Sequence, residues 1–257
     1  MSSDSFEKEV ELPSQGLLYD GKLPNGCIKM RPMKTSDEKL LAGGVRDRTT
    51  LVDKLIQNCL ITNNLPYEEY LIGDKSLMLL FLRGISYGFD YTFTLRCPSC
   101  NESFKHTLKI PDDFEVQQLT EEDKEPFEVQ LPSGALIEFR LLRIKDEQDI
   151  AKYTKRENRS RDASAEGDPS YTYQLAKRIT KIDNVEVNMF EALQFCEDMY
   201  APDSLALRNA VDEHDCGVSL IMQFECPMCY NEFEQLMPIT AEFFRPKPSS
   251  VRDRRKR

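Results

Sequence analysis

Cys97-Pro98-Ser99-Cys100 and Cys226-Pro227-Met228-Cys229 are the residues of this chain with the clearest chemistry. Two cysteines separated by two residues can give both sulfurs to one metal ion, and zinc takes four such ligands in a tetrahedron. Each motif lies between segments that alternate with a period of two, as half-buried strands do. Tyr91, Phe93 and Leu95 share one side before the first motif, and Phe104, His106, Leu108 and Ile110 share one after it. Leu220, Met222 and Phe224 precede the second motif and Phe233 follows it; in both copies a Phe stands four positions past the second cysteine. Two such tips facing each other would complete a ribbon holding one structural Zn2+ per chain on Cys97, Cys100, Cys226 and Cys229.

Two other chemistries fit the same residues. A C-P-x-C pair can be a redox dithiol, although that motif normally opens a helix and here strands flank both copies. The cysteines can also be reduced bystanders. Four thiolates would leave zinc no open position, which argues against a catalytic ion. The gap between Cys100 and Cys226 is 125 residues, so a shared ribbon carries a large insertion. Glycine commonly follows the second cysteine of a metal-binding turn. Here Asn101 and Tyr230 stand there; Asn tolerates a left-handed backbone and Tyr does so poorly.

The rest of the chain must hold these tips. With 257 residues it can build one large domain or two modest ones. Its longest apolar run, Leu77 to Leu82, has six residues, far short of a membrane span. The polar, acidic N-terminus is no signal peptide, so the eight cysteines are expected as thiols or metal ligands in a reducing cytoplasm. A formal charge of −10 disfavours nucleic acid as a partner. His106 and His214 are the two histidines, and neither has a nucleophile or carboxylate at a recognisable spacing. Phosphate-binding, dinucleotide and zinc-protease motifs are absent. No enzyme is indicated.

The expected fold class is α+β, in two tandem repeats. Val129-Gln130-Leu131-Pro132-Ser133 echoes Val10-Glu11-Leu12-Pro13-Ser14, Ile137-Glu138-Phe139-Arg140 echoes Ile28-Lys29-Met30-Arg31, and Lys145-Asp146-Glu147 echoes Ser36-Asp37-Glu38. Nine residues separate Gly88 from Cys97, and the same nine separate Gly217 from Cys226. Each repeat would comprise a β-hairpin, helices and a cysteine-tipped hairpin, the two sharing one ion near a pseudo-twofold axis. The expected layout is a disordered lead-in (1–8), repeat one (9–112), a solvated acidic linker (113–125), repeat two (126–244) and a disordered basic tail (245–257). Helices are expected from Thr35 or Ser36 to Gly43-Gly44, over Thr50–Thr62, after Gly73-Asp74 and over Tyr171–Ile182. Two more should cover Met189–Met199 and start at Asp203-Ser204. Arg156 to Gly167 reads as a mobile loop.

Two segments could meet partners. The first hairpin turn is ten residues longer than its counterpart and crowds Leu17, Leu18, Tyr19 and Leu23 into a turn-rich stretch, which could dock on a partner or pack on its own domain. The tail from Arg245 carries seven basic residues and one acid, suited to an acidic protein surface or, less readily, nucleic acid.

Val10-Glu11-Leu12-Pro13-Ser14-Gln15-Gly16-Leu17-Leu18-Tyr19, Met30-Arg31-Pro32-Met33 and Thr35-Ser36-Asp37-Glu38-Lys39-Leu40, together with the paired C-P-x-C turns, resemble T4-type phage baseplate proteins. Among those the chain looks most like the small baseplate hub subunit of contractile-tailed phages. The basic tail is not part of that likeness. The resemblance implies a hub component or assembly factor that binds other tail proteins, present in the host cytoplasm during assembly and in the virion if it stays in the baseplate. It implies no catalytic residues. The alternative function is a zinc-ribbon regulator contacting the transcription machinery or nucleic acid; an enzyme, either thiol oxidoreductase or metal hydrolase, ranks third. An oxidoreductase would need basic residues beside both motifs, and only Arg96 adjoins one.

Overall fold

The computed structural model describes residues 6–42, 48–62, 64–160, 167–237, 239 and 241–244. Strand β1 (Lys8–Glu11) pairs antiparallel with β2 (Cys27–Met30), Val10 opposite Ile28. Helices α1 (Thr35–Ala42) and α2 (Arg48–Cys59) follow, then a 3-10 turn (Tyr67–Glu69) and α3 (Ile72–Tyr87). Gly88 ends α3 with φ +94°, a conformation that favours glycine. Antiparallel β3 (Asp90–Arg96) and β4 (Ser103–Lys109) come next, then the short β5 (Val116–Gln117).

The second part opens with β6 (Phe127–Gln130) paired to β7 (Leu136–Phe139), followed by α4 (Ile144–Ser160) and α5 (Ser170–Arg178). Then come β8 (Ile179–Ile182), β9 (Val185–Glu186), α6 (Met189–Asp198) and α7 (Ala201–His214). Strand β10 (Gly217–Val218), the antiparallel pair β11 (Ile221–Glu225) and β12 (Glu232–Leu236), and α8 (Ala241–Phe244) complete it. The fold is α+β. Strands β6-β7-β8-β9 form one sheet, and the others form two-stranded pairs.

The same polar contacts recur in both parts. Arg31 donates to Asp37 at 2.8 Å and to the C=O of the next residue, Pro32. Arg140 likewise donates to Asp146 at 2.7 and 2.9 Å and to the C=O of Leu141. Each aspartate also accepts the N–H three positions before it, from Lys34 and Arg143, tying the exit of a strand pair to the first turn of a helix. The Ser14 N–H donates to Asp74 on α3 and the Ser133 N–H to Asp203 on α7, both at 2.9 Å.

Several expectations are corrected. Helix α5 stops at Arg178 because Ile179, Thr180 and Ile182 are β-branched and the strand they form pairs with β7 through Ile179, Lys181 and Ile182; Asp183 and Asn184, both at positive φ, then turn the chain into β9. Helix α4 continues through Arg156 to Ser160, so only 161–166 of the expected loop lie outside the described residues. The 113–125 segment is not a solvated linker. Phe114 and Leu119 are buried, β5 pairs with β10, and Glu125 accepts from Arg143 and from the Leu141 N–H. Glu121 and Glu122 are exposed as expected, but Asp123 holds His214. Lys8 already belongs to β1. The proposed helix stop at Gly43-Gly44, residues 1–5 and the tail from Arg245 lie outside the described residues.

Of the long turn after β1, two of the four apolar residues pack into the protein's own core. Tyr19 and Leu23 are 3% exposed and belong to the core, and Leu18 is half-buried against it. The Tyr19 hydroxyl donates to Asp74 and accepts the Leu71 N–H at 2.9 Å, while its ring meets Tyr70 edge-on. A side chain on Gly16 would strike the Leu23 carbonyl oxygen, so the turn closes tightly on itself. Leu17 alone of the four is exposed.

Candidate metal centre

The cysteine tips are positioned by two strand pairs packed face to face. Alternation puts Tyr91, Phe93 and Leu95 of β3 inward, with Phe104, His106 and Leu108 opposite them on β4. Phe224 and Phe233 pair across β11 and β12. Edge-on contacts join the two pairs: Phe93 to Phe224 at 6.0 Å, His106 to Phe224 at 5.1 Å and Phe104 to Phe233 at 6.4 Å between ring centroids. The two Phe residues four positions past each motif therefore meet each other beneath the cysteines.

Both turns have the same backbone. The Cys97 N–H donates to the Glu102 C=O and the Cys226 N–H to the Asn231 C=O, each at 3.0 Å. Asn101 and Tyr230 donate back to the carbonyls of Cys97 and Cys226 at 3.0 and 2.9 Å. Both occupy the left-handed region, at φ +61° and +57°. Tyr230 thus adopts the conformation that tyrosine takes poorly. Its side chain is 75% exposed, so nothing crowds the ring.

The four sulfurs lie within 4.8 Å of one another. Cys97 Sγ is 3.6 Å from Cys229 Sγ, and Cys100 Sγ is 3.7 Å from Cys226 Sγ. Sulfur–metal bonds of about 2.3 Å in a tetrahedron place sulfurs about 3.8 Å apart, close to the spacing of these two pairs. A disulfide requires about 2.05 Å, and these two contacts, each joining one motif to the other, are far longer than that. The donor set fits a thiophilic ion of zinc's size.

Electrostatics agree with the geometry. The Cys100 N–H, helped by the Ser99 N–H, draws the Cys97 thiol down to about 7, although burial opposes this. Cys100 is drawn down by the Glu102 N–H, but burial and the sulfurs of Cys229, Cys226 and Cys97 push it up to about 12. Several thiolates held this close repel one another, and a cation between them removes that conflict. The other four cysteines differ. Burial pushes Cys59 and Cys196 up to about 12, raises Cys216 strongly and also raises Cys27. These remain protonated small hydrophobes. His106 packs among aromatic rings, and His214 stacks on Phe127 and bonds Asp123, so neither joins the sulfurs.

Asp74 and Asp203 were legible in the sequence only as residues at helix starts. Each instead clamps a Pro-Ser turn from a distant strand pair. Burial raises the Asp74 carboxyl to about 6.

The class defined by this architecture is an α+β protein whose distant strand pairs bring together four cysteines that could hold a metal ion. The chain belongs to the T4 bacteriophage base plate protein family, whose model matches residues 15–245. No curated protein and no solved structure matches it. Membership supports a structural role in the phage tail with other tail proteins as partners. No helix among the described residues is long and apolar enough to cross a membrane.

Proposed function

We propose that this protein is a non-enzymatic component or assembly factor of the baseplate hub, built from two tandem repeats stapled by one structural zinc. The observation that carries the role is the family match over residues 15–245. The duplication is supported by the recurring Arg31–Asp37 and Arg140–Asp146 pairs and by the recurring Ser14–Asp74 and Ser133–Asp203 clamps. The second repeat has grown by β8 and β9, and β5 pairs across to β10, so the repeats interleave.

Cys97, Cys100, Cys226 and Cys229 would hold the zinc, which supplies charge neutralisation for their thiolates and a crosslink between the repeats. Structural zinc contributes roughly 10–16 kcal/mol in small peptides, comparable to the net stability of a whole domain. The ion would make the two halves one rigid block for docking in the host cytoplasm during baseplate assembly. Leu17, with the half-buried Leu18 beside it, is the part of the first long turn available to a partner; Tyr19 and Leu23 serve the core.

Affinity purification of the tagged chain from infected cells, with mass spectrometry of purified virions, tests the role. Recovery of other tail proteins supports it, and presence in virions separates a resident component from a departing assembly factor. Recovery of nucleic acid or RNA polymerase without tail proteins would overturn it.

A further inference from the structure

The two cysteine-tipped strand pairs turn their aromatic faces toward each other, so their other faces point outward in opposite directions. On the first pair the outward residues are Asp90, Thr92, Thr94 and Arg96 with Ser103, Lys105, Thr107 and Lys109, all exposed. On the second they are Ile221, Gln223 and Glu225 with Glu232, Glu234 and Leu236, again all exposed. One face is basic and the other acidic. Among the described residues none of these charged side chains forms an ion pair within the chain.

The opposition holds row by row. Counting back from the tips, Arg96 and Ser103 occupy the row that Glu225 and Glu232 occupy in the other pair. Thr94 and Lys105 correspond to Gln223 and Glu234. In the third row Thr92 and Thr107, joined through their hydroxyls at 2.8 Å, correspond to Ile221 and Leu236, which are 60% and 61% exposed. Threonine methyls against an isoleucine–leucine pair, below two rows of opposite charge, make a complementary surface. A cross-strand pair of large aliphatic residues left in water at the base of an acidic face is what such a contact would cover.

We infer that these faces join copies of this chain head to tail, the basic face of one copy receiving the acidic face of the next with the cysteine tips aligned. Such a contact uses two different surfaces, so repetition closes a ring or extends a stack according to the rotation per step. The inference rests on strand register and charge alone. It stands or falls independently of zinc and of the tail role.

Sedimentation velocity of the purified full-length chain with two charge-reversed variants tests it. Glu232→Lys with Glu234→Lys makes both faces basic; Arg96→Glu with Lys105→Glu makes both acidic. Each variant alone should associate more weakly than the native chain, by about two- to fivefold per reversed residue. Their equimolar mixture should recover native affinity. The control against bulk charge is built in. Each lysine reversal adds two positive charges, so the first variant moves the formal charge from −10 to −6, which by net repulsion alone would favour association. All four changes in one chain exchange the faces and should also restore association. Far-UV circular dichroism keeps misfolding apart from loss of contact. A native chain that stays monomeric to its solubility limit, a first variant that associates as the native chain does, or a mixture that remains dissociated would each overturn the inference.

Discussion

Replacing Tyr19 by Phe asks whether the long first turn is part of the core or a free surface. The substitution keeps the ring, its edge-on contact with Tyr70 at 5.6 Å and almost all of its volume. It removes one hydroxyl that is buried between the Asp74 carboxylate and the Leu71 N–H. Both partners are then left inside the protein without water: Asp74 is fully buried and Leu71 is 1% exposed. An unsatisfied buried polar group costs about 1–3 kcal/mol, so the pair predicts a loss of about 3 kcal/mol. Urea unfolding followed by circular dichroism reads this as a lower midpoint at unchanged slope. Leu17→Ser, on the exposed side of the same turn, should stay within about 0.5 kcal/mol of the native protein. A Tyr19→Phe loss below about 1 kcal/mol would refute the hydroxyl's role.

Three further outcomes follow from the same contacts. Because burial raises the Asp74 carboxyl to about 6, its folded form holds a proton more tightly than the unfolded chain does; stability from this group should fall as pH rises from about 4 to about 6, by about 3 kcal/mol, then level off. Unfolding of Asp74→Asn should lack that slope, and parallel pH profiles would contradict the assignment. Asp146→Ala should cost about 2–4 kcal/mol in denaturant melts, since it strips two hydrogen bonds from Arg140 and one from the Arg143 N–H. Burial pushes the Asp146 carboxyl up, but Arg140 outweighs it and holds it below the ordinary range, so this contribution is full above about pH 4 and disappears as pH falls through the lowered value. Phe243→Ala should cost about 3–5 kcal/mol by the same melts, because the ring is fully buried and meets Tyr91 edge-on at 5.0 Å.

Local signals were strong where chemistry and spacing coincided. The cysteine pairs, the alternating strands beside them and the glycine that ends α3 are each properties of a few adjacent residues. What stayed hidden depends on partners far along the chain. Phe114 and Leu119 sit in an acidic stretch that composition marks as solvated, yet Leu119 donates to the Pro13 C=O more than a hundred residues away. Strands β5 and β10 have two residues each, too few for periodicity to register. Between Tyr171 and Ile182 two signals compete: Ile-Thr-Lys-Ile followed by Asp-Asn is a strand and a hairpin turn, but Leu175 and Ile179 also fall four apart as on a helix. Tyr19 could not be assigned from sequence, because a tyrosine in a turn is core only if something like Asp74 is waiting for its hydroxyl.

Native mass spectrometry of the purified chain, with elemental analysis, tests the shared zinc most directly. The account predicts one zinc per chain, and loss of that zinc from both Cys97→Ser and Cys226→Ser although 129 positions separate the two residues. Serine at Cys27, Cys59, Cys196 or Cys216 should leave the metal in place. A folded chain without metal, or one with a disulfide inside each motif, would contradict it.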